Sequence, residues 1–152
     1  MPVTIGQPAP SFELRNIDGE MVSLKDLAGR KSLVVFIPFP FTGNCEAELC
    51  TIRDRMADLN KMDANVVAIT TDTMFSNKVW SEQNGFEFPV LSDFWPHGAV
   101  TDAYGTFDPK VGAANRSTYV LDADGIIRAI VATESRSMVR DYDEYLAALD
   151  SI

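Results

Sequence analysis

The chain has 152 residues, 46% of them hydrophobic, a length and composition that suit one globular domain, expected here over residues 1–152. Its formal net charge is −9 with no Lys/Arg cluster to offset it, which argues against nucleic acid or an anionic membrane surface as partner. No stretch approaches the ~20 apolar residues needed to span a bilayer. No charged N-terminal region leads into an apolar run, so the expected compartment is the cytosol, where thiols stay reduced unless they do redox work.

Pro2, Pro8 and Pro10 exclude a helix from residues 1–11, which read as an extended lead-in. Phe12 to Arg15 and Met21 to Leu24 alternate apolar and polar residues around Asp18-Gly19, the pattern of a β-hairpin. Lys25 to Ala28 is expected as one helical turn ending at Gly29. Leu33-Val34-Val35-Phe36-Ile37 is an unbroken apolar run with the length of a strand buried on both faces. Pro38 stops it, having no N–H to give to a ladder. Phe39 to Asn44 then leads into a helix carrying Leu49, Ile52, Met56 and Leu59 at spacings of three and four.

Asn65 to Thr70 reads as a second buried strand, and Phe75 to Asn84 as a helix closed by Gly85. Phe86 to Leu91 is a short extended piece, Ser92 to His97 irregular, and Gly98 to Tyr104 one or two helical turns. Ser117 to Leu121 and Gly125 to Val131 form a second hairpin around the turn Asp122 to Gly125. An amphipathic helix carrying Val139, Tyr142, Leu146 and Leu149 closes the chain. The order is β-α-β-α-β-β-α after an N-terminal hairpin, an α/β protein with a mixed central sheet and helices on both faces.

Cys45 falls in the first turn of the helix that follows the central strand. Free backbone N–H groups and the helix dipole favour negative charge there, so a thiolate is stabilised. Thr42, three residues earlier, is placed to cap the helix and turn its hydroxyl toward the sulfur. The N–H groups from Gly43 to Cys45 are able to hold an oxyanion. Glu46 and Glu48 suit a helix N-terminus but repel a thiolate, so a nearby cation is required. Arg116, just before a predicted strand, is the first candidate; Arg140 is second, because an arginine opening the last helix is commonly just solvated. His97, in the run WPHG, reads as a structural or interface residue.

Pro38-x-x-x-Thr42-x-x-Cys45 matches the P-x-x-x-T-x-x-C motif of the peroxiredoxins, and Glu48 fits the acidic position that often follows. The opening GQPAPSFELRNIDGEMVSLKDLAG, SDFWPHGAVTDAYG and ANRSTYVLDADGIIR extend the resemblance over nearly the whole chain. SDFWPHGAV in particular resembles the alkyl hydroperoxide reductase E branch. The resemblance implies a thioredoxin-like fold with an N-terminal hairpin extension. It implies Cys45 as peroxidatic nucleophile, Thr42 as its hydroxyl partner, Pro38 as shield and Arg116 as the guanidinium that orients the peroxide. The substrates implied are hydrogen peroxide, organic hydroperoxides and peroxynitrite, with no metal or organic cofactor.

Cys50 stands five residues after Cys45, the spacing of the resolving cysteine in the bacterioferritin comigratory branch, whereas the alkyl hydroperoxide reductase E branch resembles a one-cysteine pattern. In an intact helix the two Cα atoms lie ~8.7 Å apart, beyond the ~7 Å that a disulfide accepts. The first turns must therefore unwind if Cys50 resolves the sulfenic acid, after which a thioredoxin-like protein is the expected reductant. Otherwise an external low-molecular-weight thiol attacks directly. Cys50 projects away from the Leu49/Ile52/Met56 stripe and is not expected deep in the core.

Two other functions share these residues: a thioredoxin-like disulfide exchanger, which normally wants a C-x-x-C that is absent here, and a peroxide sensor that signals without turnover. Phe39-Pro40-Phe41 and Phe94-Trp95-Pro96 put large apolar groups in loops, which together with the resemblance points to a homodimer.

Overall fold

A run of β-branched and apolar residues from Leu33 to Phe36 has no polar face to show to solvent, and the computed structural model places it in an interior strand of a seven-stranded sheet. The structure describes residues 3–152; Met1 and Pro2, the start of the extended lead-in, lie outside the described residues. In chain order the strands are β1 (Glu13–Arg15), β2 (Met21–Ser23), β3 (Lys31–Phe36), β4 (Ala64–Thr70), β5 (Val90–Ser92), β6 (Phe107–Asp108), β7 (Ala113–Ala114), β8 (Ser117–Leu121) and β9 (Ile127–Ala132). The helices are α1 (Gly43–Asp54), α2 (Met56–Lys61), α3 (Met74–Asn84), α4 (Ala99–Ala103) and α5 (Tyr142–Asp150), with a 3-10 turn at Leu24–Leu27.

The sheet order is β2-β1-β5-β4-β3-β8-β9. β3 pairs in parallel with β4, and β4 with β5, while β8 runs antiparallel to both β3 and β9. The mixed sheet expected from the element order is thus present, and the N-terminal hairpin extends it through the antiparallel pair β1–β5. Because side chains alternate along a strand, β3 serves two cores. Leu33 and Val35 face a cluster built with Leu49, Ile52, Trp80, Tyr145 and Leu149 from α1, α3 and α5. Val34 and Phe36 face a second cluster with Phe12, Leu14, Leu27, Tyr104 and Tyr119. The long helices share the first face; the second is closed by α4, the 3-10 turn and the N-terminal segment.

Two expectations are corrected by the packing, and one element is added. The helix after Cys45 is not continuous to Leu59: it breaks at Arg55, whose φ and ψ of −113° and 19° leave the helical region, and α2 restarts beyond it. The last helix begins at Tyr142 under an Asp141 cap whose side chain accepts from the Asp143 N–H; Val139 precedes it and is exposed. The short β6–β7 hairpin was not foreseen, since two-residue strands carry no periodicity. Gly85 does close α3 in the left-handed region, with φ 64°, as glycine there costs least. Among the described residues no helix is long and apolar enough to cross a membrane.

Candidate active site

The site lies where β3 delivers the chain to α1. The Ile37 N–H still donates to Ile69 O at 2.9 Å, and Pro38, which has no N–H to donate, is buried directly after it. Phe41 then takes a φ of 68°, an unusual conformation for a bulky residue, and turns the chain so that Thr42 becomes the N-cap. The first helical bond runs from the Glu46 N–H to Thr42 O at 3.0 Å. That leaves the N–H groups of Gly43, Asn44 and Cys45 without helical partners at the start of α1. Cys45 sits in this first turn with 0% exposure, just beyond the exposed residues Phe41 to Asn44.

Thr42 is at the expected cap position, but its side chain does something else. The hydroxyl makes no cap hydrogen bond; it donates to Phe39 O at 2.6 Å. This corrects the expectation that it turns toward the sulfur. A threonine at the end of a tight loop can close that loop onto a carbonyl three residues back, and Thr42 here fixes the loop rather than the thiol.

Arg116 reaches the thiol. It lies between β7 and β8, its Nε donates to Arg136 O at 2.8 Å, and its Nη1 lies 3.3 Å from Cys45 Sγ. The same Nη1 donates to Glu48 Oε1. Glu48 is one helical turn after Cys45, on the same face, and is buried among cations. Its Oε2 accepts from the backbone N–H of Arg140 at 2.7 Å and from Arg140 Nε at 2.8 Å, and its Oε1 from Arg140 Nη2 at 2.9 Å. Burial alone would raise the Glu48 carboxyl; the hydrogen bonds and charge of Arg140, with the charge of Arg116, outweigh it and hold the group below the usual carboxylate range. Burial disfavours the charged form of Arg140, but Glu48, Tyr145 and Cys45 more than offset it and push its pKa up.

Arg140, the second candidate cation, is not merely solvated as an arginine opening the last helix commonly is. Its side chain is 0% exposed, and Nη1 also donates to Phe36 O at 3.0 Å and to Thr118 Oγ1 at 3.1 Å. It does not open the last helix but precedes its cap. There the segment between β9 and α5 folds under α1, pinned by Asn44 Nδ2 donating to Ser137 O at 3.0 Å. No periodic signal marks such a residue. Glu48 was findable from its i+3 relation to Cys45, and Arg140 stood as the second candidate cation, but no local signal showed that the two pair. Glu46, by contrast, is turned away from the thiol and accepts from Trp80 Nε1 at 3.0 Å.

Cys50 is half-buried against the first core, as its helical position predicts, with Sγ 3.7 Å from Asn84 Oδ1. Both cysteines are free thiols, and α1 is continuous through them. His97 packs edge-on to Phe94 and Phe107, and its two ring nitrogens face Phe94 O at 3.2 Å and Gly112 O at 2.7 Å. It therefore ties the loop at Phe94 to the hairpin that precedes Arg116. Among the described residues no His, Cys, Asp and Glu side chains group as a metal-binding set.

The chain as a whole is similar to known proteins. The family model described as AhpC/TSA family matches residues 5–130. Alkyl hydroperoxide reductase E of Mycobacterium tuberculosis is 42% identical over 151 residues, covering 97% of this chain and 98% of the relative. A putative peroxiredoxin of the same organism is 37% identical over 131 residues, 82% of each chain. Among solved structures, the peroxidoxin BcpB of M. tuberculosis superposes with a TM-score of 0.88 at 27% identity, covering 99% of this chain and 98% of the other.

Proposed function

Because the chain belongs to the AhpC/TSA family of peroxiredoxins, and by that membership is a thiol-dependent peroxidase, we propose that Cys45 is its nucleophile and that Arg116 holds the reacting groups. The observation that carries this assignment is the 3.3 Å approach of Arg116 Nη1 to Cys45 Sγ in the first turn of α1. On this reading, residues 1–152 are one domain built around that contact.

The Cys45 thiolate attacks one oxygen of the peroxide. A sulfur–oxygen bond forms as the oxygen–oxygen bond breaks, the thiolate is oxidised to a sulfenic acid, and the peroxide is reduced. The departing hydroxide or alkoxide takes a proton from solvent. While charge builds on it, the Arg116 guanidinium and the free N–H groups of Gly43 to Cys45 stabilise it without reorganising. Pro38, buried at the end of β3, shields one side of the thiol. Thr42 acts by closing the loop onto Phe39 O, and so positions the helix start. Hydrogen peroxide and organic hydroperoxides are the substrate class, with peroxynitrite by the same attack. Cys45→Ser should abolish peroxide consumption in the presence of a dithiol; retained activity would falsify the assignment.

The sulfenic acid is resolved by Cys50. This rests on the weakness of the start of α1, which has no side-chain cap and begins with Gly43, around which there is open space. The continuous helix keeps the thiols apart until those turns unwind. An internal disulfide calls for a thioredoxin-like reductant. A stoichiometric peroxide pulse on reduced protein should lower the intact mass by about 2 Da; a gain of about 16 Da, the sulfenic acid, would leave resolution to a low-molecular-weight thiol. The subunits pair as a homodimer through Phe39, Phe41, Phe94 and Trp95, of which Trp95 is 82% exposed. Trp95→Ser should shift the sedimentation of the native protein toward a monomer.

A further inference from the structure

Arg116 meets Cys45 through one nitrogen, and the direction of that nitrogen depends on where the rest of the guanidinium is held. Two protein groups hold it: Glu48 Oε1, which accepts from Nη1, and Arg136 O, which accepts from Nε at 2.8 Å. Glu48 is fixed in the buried cluster with Arg140. Arg136 has no such support. It stands in the stretch between β9 and α5, where no residue from 133 to 139 is buried, so packing against the core does not set the position of its carbonyl.

Hydrogen bonds do so instead. The Met138 N–H donates to Ser135 O at 3.2 Å and closes a turn around Arg136 and Ser137. Asn44 Nδ2 holds one side of that turn through Ser137 O. The other side is held by the Arg136 side chain, whose Nη1 donates to Asp108 Oδ2 at 2.8 Å and to Asn115 Oδ1 at 3.2 Å. Both anchors are themselves fixed. Asp108 lies in β6; its O accepts from the Gly112 N–H at 2.9 Å and its Oδ1 from the Lys110 N–H at 2.9 Å. The Lys110 N–H, and after it Arg136, hold the Asp108 carboxyl below the usual carboxylate range, so the pair is charged at neutral pH. The Asn115 N–H donates to Thr106 O at 2.7 Å. Asn115 immediately precedes Arg116, so the bonds close a ring. The Arg116 guanidinium grips the carbonyl of Arg136, and the side chain of Arg136 grips the residue beside Arg116.

We propose that Arg136 is a positioning residue for the peroxidase reaction: its side chain, braced on Asp108 and Asn115, sets the carbonyl that aims Arg116 at Cys45. The inference rests on the role given above to Arg116. The brace contributes little to stability, because the Arg136 and Asp108 side chains are 33% and 23% exposed and an ion pair within reach of water is weak. Its effect on rate is larger, since a shift of about 1 Å at a reacting centre can cost about 100-fold. A positioning role therefore predicts a loss of rate without a matching loss of stability.

The experiment measures kcat/KM for hydrogen peroxide and the melting temperature of the reduced full chain. Arg136→Ala should lower kcat/KM about ten-fold, short of the about 100-fold limit because Asn44 still restrains the turn. Its melting temperature should stay within about 4 °C of wild type. Asp108→Ala approaches the brace from β6, should cost a similar factor, and gives the same answer should Arg136→Ala not fold. The double variant should lose no more than the worse single one, as expected of two groups that act through one contact. Both bonds leave one nitrogen, so a lysine ammonium can serve them, and Arg136→Lys should return to within about three-fold of wild type. A wild-type rate in Arg136→Ala and Asp108→Ala, a loss that only follows the melting temperature, single losses that multiply in the double variant, or no recovery in Arg136→Lys would overturn the proposal. Arg116→Ala separates this inference from the reading it rests on, and should lose about 100-fold or more. If Arg116→Ala is unimpaired, the role of Arg116 falls and the brace with it; an impaired Arg116→Ala beside an unimpaired Arg136→Ala refutes the brace alone.

Discussion

Glu48→Gln tests the energetic centre of the site. The carboxylate accepts four hydrogen bonds, one from Arg116 and three from Arg140, and the side chains of all three residues are nearly or wholly inaccessible. Glutamine keeps one acceptor oxygen but turns an amide N–H₂ toward the donors that the other oxygen served. Two charge-assisted bonds are lost, at about 1.5–3 kcal/mol each. This agrees with the about 3–5 kcal/mol expected when one partner of a buried ion pair is removed. For a chain of this size, that lowers the melting temperature by roughly 6–20 °C. Arg116 also loses the anchor that holds Nη1 between the carboxylate and the thiol, and a displacement of about 1 Å at a reacting centre can cost about 100-fold in rate. The assays are denaturant unfolding of the reduced protein and kcat/KM for hydrogen peroxide. If stability stays within about 0.5 kcal/mol, as for an ordinary surface change, and the rate within two-fold, then Glu48 does not organise the two guanidinium groups and the reasoning fails.

Acid should act on the same group. Because the folded-state pKa of Glu48 lies below its ordinary value of 4.5, the stability it contributes is fully present above that value. It is lost as pH falls through the depressed folded value. Unfolding measured across this range should therefore show a steeper acid loss in wild type than in Glu48→Gln. Arg140→Lys keeps the charge but not the fork that serves Glu48, Phe36 O and Thr118 Oγ1; a loss of about 3 kcal/mol is expected by denaturant titration. Thr42→Val removes the bond to Phe39 O and should cost about 1 kcal/mol and slow peroxide reduction. Thr42→Ser should restore both, and equal behaviour of the two variants would show that the hydroxyl is idle.

The fold was legible wherever a segment was long enough to show a period. β3 and β4 announce themselves as apolar runs, α3 by its spacing and Gly85, and the two main hairpins by Asp-Gly turns. The thiol and its arginine were legible because P-x-x-x-T-x-x-C fixes the local geometry and few arginines stand beside predicted strands. Which carboxylate the arginines serve was not. Arg140, the second candidate cation, reaches Glu48 from 92 positions away, from a stretch with no regular structure, so local pattern shows neither its burial nor its partner. The Thr42 hydroxyl failed for the opposite reason. The hydroxyl donates to Phe39 O in a loop where Phe41 takes a positive φ, a backbone turn that the sequence does not announce.

The charge balance links the chemistry to the fate of Cys50. In the proposed reactive state two buried guanidinium groups face one carboxylate and one thiolate, and the four charges cancel. Oxidation to a neutral sulfenic acid removes one negative charge and leaves Arg116 and Arg140 against Glu48 alone. The Arg116 bond to Cys45 then falls from the charge-assisted class, about 1.5–3 kcal/mol, to the neutral one, about 0.5–1.5 kcal/mol. That loss of about 1 kcal/mol falls on a helix start held by no side-chain cap, where local opening is cheapest. On the proposal that Cys50 resolves the sulfenic acid, the hold of Arg140 on Glu48 would stop the unwinding before residue 48. Leu49 and Ile52, both in the core, would then keep Cys50 in place while Cys45 swings toward it. The disulfide is thus within reach of a peroxidase that gives up its first helical turn and keeps its buried ion pair.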